Sequence, residues 1–224
     1  VHKKRIRAYY AALIAQIDFE VGAILEALRD KGILDNTVII FSSDHGDYLG
    51  DHGLTGKSSY YDQSARVPML VRLPAAQGSV RSSELVSLTD VTATILAFAG
   101  CPVPEWMDAL PMPGLGLADE GRHDHIVGAL SGGWMLVNQD WKLAKYARGG
   151  AMLFNRHDDP LELHNLARDP RYLDVYQRLD AELTRAIMRS VLLSHGEKRV
   201  YTTSLSSDLA FGQQGWPRPY PQRV

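Results

Sequence analysis

Cysteine is nearly absent from this sequence. Cys101 is the only one, so no internal disulfide can staple the chain, and the disulfide-framed mini-protein class is excluded. An excess of one charge is missing too. Lys and Arg total 24 against 26 Asp and Glu, a net charge of −2, which gives no electrostatic case for a nucleic-acid partner or a membrane surface. No apolar run approaches the roughly 18 residues that a membrane-spanning helix needs. Internal repeats and low-complexity tracts are also lacking. The chain opens on Val1, in VHKKRIRAYY, so the lack of a leader peptide is uninformative and no compartment follows. What is present, at 224 residues, is enough chain to bury a substantial core.

From Arg5 to Lys31, apolar residues recur at three- and four-residue steps through Ile6, Tyr9, Leu13, Ile17, Val21, Ile24 and Leu28. That period predicts a long amphipathic helix, stopped at Gly32. Thr37 to Ser42 is a β-branched and aromatic run without polar alternation, as expected of a strand buried on both faces in a helix-covered sheet. A second apolar strand is expected over Pro68–Leu73 and a second helix over Leu88–Ala99, closed by Gly100. Helix, strand, strand, helix reads as an α/β fold. Residues 101–121 turn rich in Pro and Gly and read as a connecting loop. The pieces HIVGALS, WMLVNQD, WKLAKYA and AMLFNR are short, closely spaced and separated by turn residues, which predicts a small antiparallel sheet. A helix follows from about Tyr172 to Leu193. The tail after residue 201 carries three prolines with Trp216 and Tyr220 in its last stretch, and is expected to form an extended arm.

The chemistry-bearing residues cluster after the first strand, in TVIIFSSDHGDYLGDHGLTGKSSYYDQSARVPMLVRLP. In doubly wound sheets, ligands lie outside the carboxyl ends of strands, and Asp44-His45 stands at that end. A carboxylate and an imidazole there are donors for a hard or first-row metal, and Gly46 lets the backbone leave sharply. Taken singly, each piece has a plainer reading. SDHG is then a polar turn, Asp51-His52-Gly53 a loop turn, and Lys57 a solvated lysine. His123-Asp124-His125 and the other histidines read as solvated or hydrogen-bonding groups, Trp106, Trp134 and Trp141 as core or interface residues, and Cys101 as a small apolar residue after a helix.

In combination, Ser43-Asp44-His45-Gly46, Leu49-Gly50-Asp51-His52-Gly53, Gly56-Lys57, Tyr61-Asp62 and Arg66-Val67-Pro68 resemble the type I sulfatase family and its relatives, the phosphonate monoester hydrolases, in the alkaline-phosphatase superfamily. The stretch YYAALIAQIDFEVGAILEALRDKGILDNTVIIFSSDHG looks like that family's lead-in, and VSLTDVTATILAFAGCPVP like its next helix. WKLAKY and MLFNRHDDPLELHNLARDP are similar to its C-terminal subdomain. The resemblance implies the C-terminal part of an alkaline-phosphatase-like sandwich. Residues 1–100 would be the C-terminal part of the α/β core, 101–121 a connecting loop, 122–200 a subdomain of small antiparallel sheet plus helix, and 201–224 an extended tail.

It further implies that Asp44 and His45 complete a divalent-metal site, with Ca2+ expected first and Mn2+ or Mg2+ as alternatives. Lys57 would contact the ester oxygens, and His52 would at most touch substrate. The family's nucleophile is a formylglycine made from a C/S-x-P-x-R motif. Around Cys101 this sequence has Val103 where the motif needs Pro and Glu105 where it needs Arg. The formylglycine and the remaining metal ligands are therefore expected upstream, in a missing N-terminal half, and the chain alone is expected to be inactive. The implied activity is hydrolysis of a small sulfate ester, with a phosphonate or phosphate ester as the alternative. A non-catalytic remnant serving as an interaction module is the third reading, which would have no physical reason to keep buried charges. The tail is expected to pack against another subunit, forming a homo-oligomer, or against the missing half.

Overall fold

A computed structural model describes residues 2–74, 78–104, 106–130 and 132–199, with side chains of the last helix described up to Leu192. The expected tail arm lies outside these residues. The chain begins with α1 (His2–Asp30), β1 (Ile39–Ser42), a short α2 (Asp62–Ala65), β2 (Met69–Arg72) and α3 (Leu88–Phe98). It continues as β3 (Ile126–Leu130), β4 (Gly133–Val137), β5 (Trp141–Tyr146), β6 (Ala151–Asn155) and α4 (Leu173–Arg199). No described helix is long and apolar enough to cross a membrane.

The last four strands form an antiparallel sheet in the order β3-β4-β5-β6, as the four closely spaced apolar pieces predict. Side chains alternate across a strand, so each strand serves two faces. Leu136, Leu143 and Leu153 point to one face and, with Leu179 and Leu183 of α4, form a core that excludes solvent. Trp134, Trp141, Tyr172 and Tyr176 pack around it. The opposite face carries Met135 and Ala144, and these bury Tyr60, which arrives from the loop before α2. The sheet is thus covered on both sides, by a helix on one and by the Tyr60-to-Asp62 segment on the other.

β1 and β2 make a separate two-stranded sheet, paired antiparallel with Ser42 opposite Met69. The expectation of a strand buried on both faces fails for β1. Its residues are half-buried or exposed, and Phe41 keeps 39% of its surface in solvent. The reason is that, among the described residues, β1 has one partner strand, β2, in a two-stranded sheet. α1 is fully formed yet has no buried residue, and its apolar positions Leu13, Ile17 and Ile24 are all more than half exposed. α3 starts with a reciprocal cap: Thr89 N–H donates to the Ser87 hydroxyl, and Ser87 N–H donates to Asp90. Asp90 and Thr94, both buried, then accept from Leu110 N–H and Met112 N–H and pin the Pro-rich connection onto the helix. His123 Nε2 donates to the same Asp90 carboxylate at 3.0 Å. Cys101 follows α3 as expected and is exposed there, with its thiol 3.9 Å from the Ala99 carbonyl oxygen.

Candidate active site

β1 ends where the Ser42 hydroxyl donates to the Pro68 carbonyl, 2.8 Å away, tying its last residue to the start of β2. The backbone then corners at Asp44-His45-Gly46. The Asp44 carboxylate accepts the His45 N–H at 2.9 Å, and the Ser43 hydroxyl donates to the His45 carbonyl. His45 Nδ1 lies 2.8 Å from the Gly46 carbonyl. A carbonyl only accepts, so Nδ1 carries the proton and Nε2 presents its lone pair. That Nε2 stands 3.3 Å from Asp44 Oδ2 and is met by Lys57 Nζ. Asp44, His45 and Lys57, which the sequence spreads over one loop, therefore converge at one point.

The charges there are not buried, contrary to the expectation attached to the remnant reading. Asp44 is 82% and His45 38% exposed at the side chain. Desolvation, the largest single influence, raises the Asp44 pKa, but the His45 N–H hydrogen bond, helped by the positive charge of Lys57, outweighs it and holds the carboxyl below its ordinary value. Gly46 is required for close approach: a Cβ there would stand 2.1 Å from the Gln63 carbonyl oxygen. Its N–H donates to the Ser64 carbonyl at 2.9 Å, so the corner rests directly on the backbone of α2.

Lys57 returns to the corner because the loop is closed from within. Tyr48 N–H donates to the Gly56 carbonyl, Gly50 N–H to the Leu54 carbonyl, and the buried Tyr48 ring reaches the Ser59 hydroxyl. Gly56 adopts φ +74°, a left-handed conformation that favours glycine, just before the lysine. His52 faces elsewhere. Its ring stacks on Tyr61 at 3.9 Å and its Nε2 is 3.2 Å from Gln63 Oε1. Asp51 does more than form a turn: it accepts from Lys3 at 2.9 Å and Arg7 at 2.8 Å, and Arg7 also donates to the Leu49 carbonyl. The basic start of α1 thus clamps the site loop.

Sequence reasoning missed a second cluster beneath α2. Lys142 of β5, 1% exposed, is hydrogen-bonded to Asp62 and to the Tyr60 carbonyl, and lies 2.5 Å from Glu162 Oε1. Glu162, 3% exposed, accepts the Asp62 N–H through Oε2 at 2.7 Å. Its Oε1 faces Lys142 without the angles of a hydrogen bond. Burial pushes the Glu162 carboxyl above its ordinary value, with Lys142 opposing. One signal was legible: Lys142 shares the face of Ala144 in an apolar strand, a register at which a lysine must find partners or leave the core.

Among the described residues no group of three His, Cys, Asp or Glu side chains could hold a metal. Asp44 and His45 fit as two donors, a carboxylate oxygen and an oriented imidazole nitrogen, and no more. The cavity of about 520 Å³ between α3, β3 and α4, lined by Ser87, Asp108, His123, Trp134, Arg185 and Arg189, contains none of the corner residues.

Residues 2–101 match the family model described as Sulfatase. Arylsulfatase K of Bos taurus is 32% identical over 201 residues, covering 82% of this chain and 37% of that protein. The chain belongs to the sulfatase family. Among solved structures, a 2-O GAG sulfatase superposes with a TM-score of 0.74 at 27% identity, over 83% of this chain and 44% of that one. The phosphonate monoester hydrolase of Agrobacterium radiobacter gives 0.71 at 27%, over 82% and 41%. These neighbours have the alkaline-phosphatase-like fold, and this sulfatase-family chain corresponds to its C-terminal part. It spans about two fifths of the length of the relatives it matches.

Proposed function

We propose that this chain supplies the metal-and-anion corner of a sulfuric ester hydrolase. The observation that carries the reading is the convergence of Asp44 Oδ2, His45 Nε2 and Lys57 Nζ at the end of β1. Asp44 and His45 would hold a divalent cation, for which membership of the sulfatase family favours Ca2+, with Mn2+ or Mg2+ as alternatives that the same carboxylate and imidazole donors accept. The cation supplies Lewis-acid charge at the ester's non-bridging oxygens. His45 is held for this by the Gly46 carbonyl, which keeps the proton on Nδ1. Lys57 presents an ammonium to the same oxygens as charge redistributes on them. His52 has a supporting place, stacked on Tyr61. The formylglycine nucleophile and the other ligands belong outside these residues, in an N-terminal half that would also cover the exposed faces of α1 and β1.

The likeness to a phosphonate monoester hydrolase favours a phosphonate or phosphate ester as the second reading, since the same cation and lysine serve either tetrahedral anion. A non-catalytic interaction module is disfavoured by the oriented imidazole, which interaction alone does not require.

The test is made in the full-length protein. Lys57→Ala should lower turnover of an aryl sulfate or phosphonate ester by roughly two to three orders of magnitude while metal content stays near wild type. Asp44→Ala should lose metal and turnover together. Normal turnover by Lys57→Ala on both esters would sink the assignment. The 224-residue chain alone should show no turnover above background, because two donors leave a hard cation largely hydrated.

A further inference from the structure

Between the corner and the packed C-terminal sheet runs one continuous mechanical path. Gly46 N–H is bonded to the Ser64 carbonyl, and a Cβ on Gly46 would strike the Gln63 carbonyl oxygen. The corner therefore cannot move relative to α2 without breaking that contact. α2 is one turn long, too short to hold itself in place. Its first residue, Asp62, gives its N–H to Glu162 and its carboxylate to Lys142. Lys142 in turn holds the Tyr60 carbonyl, so both flanks of Tyr61 are fastened. Tyr61 and Gln63 then seat His52, by stacking and by a side-chain hydrogen bond.

We propose that Glu162 and Lys142 are positioning residues for the Asp44-His45-Lys57 corner, acting through α2 and touching neither metal nor ester. The inference rests on the functional reading above. Three observations carry it. Both side chains are essentially buried, yet they belong to β5 and the loop after β6 rather than to the site loop. Glu162 holds φ +56°, an uncommon conformation for a non-glycine residue, and that backbone brings its carboxylate under Asp62. The adjoining sheet core of Leu136, Leu143 and Leu153 is closed on the other face without them. A buried ion pair swapped for apolar residues of similar size is often neutral for stability, and Asp62, the third charge, is partly exposed with Arg66 3.7 Å away, so the swap tests position rather than overall folding.

The experiment uses the full-length protein, with Lys142→Met/Glu162→Leu as the main variant and Glu162→Gln as the milder one. Three readouts are taken: hydrogen exchange of the metal-free protein on the peptide containing Gly46, the Ca2+ dissociation constant, and kcat and KM for an aryl sulfate. In the double variant, exchange at Gly46 should rise at least about tenfold while the peptide containing Leu143 and Ala144 stays within about twofold. Ca2+ binding should weaken by at least about tenfold, and kcat should fall more than KM rises. Glu162→Gln should show changes of the same direction and about threefold size. A merely structural role would raise exchange in the sheet as much as at Gly46. Either that pattern, or wild-type Gly46 exchange and Ca2+ affinity in whichever variant folds, would overturn the proposal. Wild-type protein that bound no divalent cation and cleaved neither ester would instead sink the functional reading, and the metal-free exchange result would still decide the positioning role.

Discussion

In the β3–β6 sheet, Leu136, Leu143 and Leu153, with Leu179 and Leu183 of α4, have lost essentially all contact with water. In α1, which is as apolar and as long as α4, no residue is buried, and β1 and β2 leave Phe41 and Leu70 exposed. The chemistry-bearing corner sits on the second, poorly covered region, while its supports, Lys142 and Glu162, come from the first. The difference teaches that the site's order is imported: the sheet behind it has a closed core, and the hairpin carrying it is held from there through α2 and from α1 through Lys3 and Arg7. Apolar area left in water is a cost that folding normally removes, so the α1 face is where covering is to be sought.

The comparison can be broken or sharpened at four places. Leu143→Ala should destabilise by about 2–5 kcal/mol, the range for emptying a closed core, as measured by urea unfolding of the chain. A cost under about 1 kcal/mol would mean that the sheet core is not the closed support of the corner. Gly46→Ala comes next, because its new Cβ meets backbone rather than a flexible side chain. It should cost roughly 1–3 kcal/mol, as overpacking does, and unchanged thermal unfolding would show that the corner and α2 move freely.

The clamp on α1 should depend on pH. Hydrogen bonding from Lys3 comes first, with the charges of Lys3 and Arg7, in holding the Asp51 carboxyl below its ordinary value of 3.8. A depressed folded-state pKa means that the contribution is present above the ordinary value and is lost as pH falls through the lower folded one. The partners are 40–49% exposed, so solvent screening limits the effect to under about 1 kcal/mol. Protection of α1 amides, corrected for the intrinsic pH dependence of exchange, should therefore fall only below about pH 4, and Asp51→Asn should remove that dependence. The smallest effect is expected for Phe19→Ser, since Phe19 is 74% exposed: within about 0.5 kcal/mol in the 224-residue chain. A cost of about 2 kcal/mol or more for the same substitution in the full-length protein would identify the α1 face as covered there.

Local pattern was enough for much of this molecule. The 3.6-residue period of Ile6 through Leu28 marks α1, and four short apolar pieces mark β3–β6, because both periodicities are written in consecutive residues. Asp44, His45 and Lys57 were readable as a group for a related reason: they lie in one loop, where order and spacing can be compared directly. The strand of residues 37–42 misled, since an unbroken apolar run states that burial is wanted without stating that a covering layer is within the chain. Asp51 was read as a turn former because its partners, Lys3 and Arg7, stand more than forty residues away.

By itself, then, the sequence determined which segments are helix or strand, the loop that carries Asp44, His45 and Lys57, and, by that loop's motifs, the family. Tertiary structure alone decided that β1 and β2 pair antiparallel, and that His45 Nε2 faces both Asp44 and Lys57. It also decided that the loop stands on a lysine and a glutamate from the far end of the chain. The physical reason is separation: Lys142 and Asp62 are 80 residues apart, and Glu162 and Asp62 are 100. No local propensity encodes such a meeting. It arises because the face of β5 that carries Lys142 and Ala144 has to be covered, and the covering segment must satisfy a charge that cannot be left alone in a dry interior.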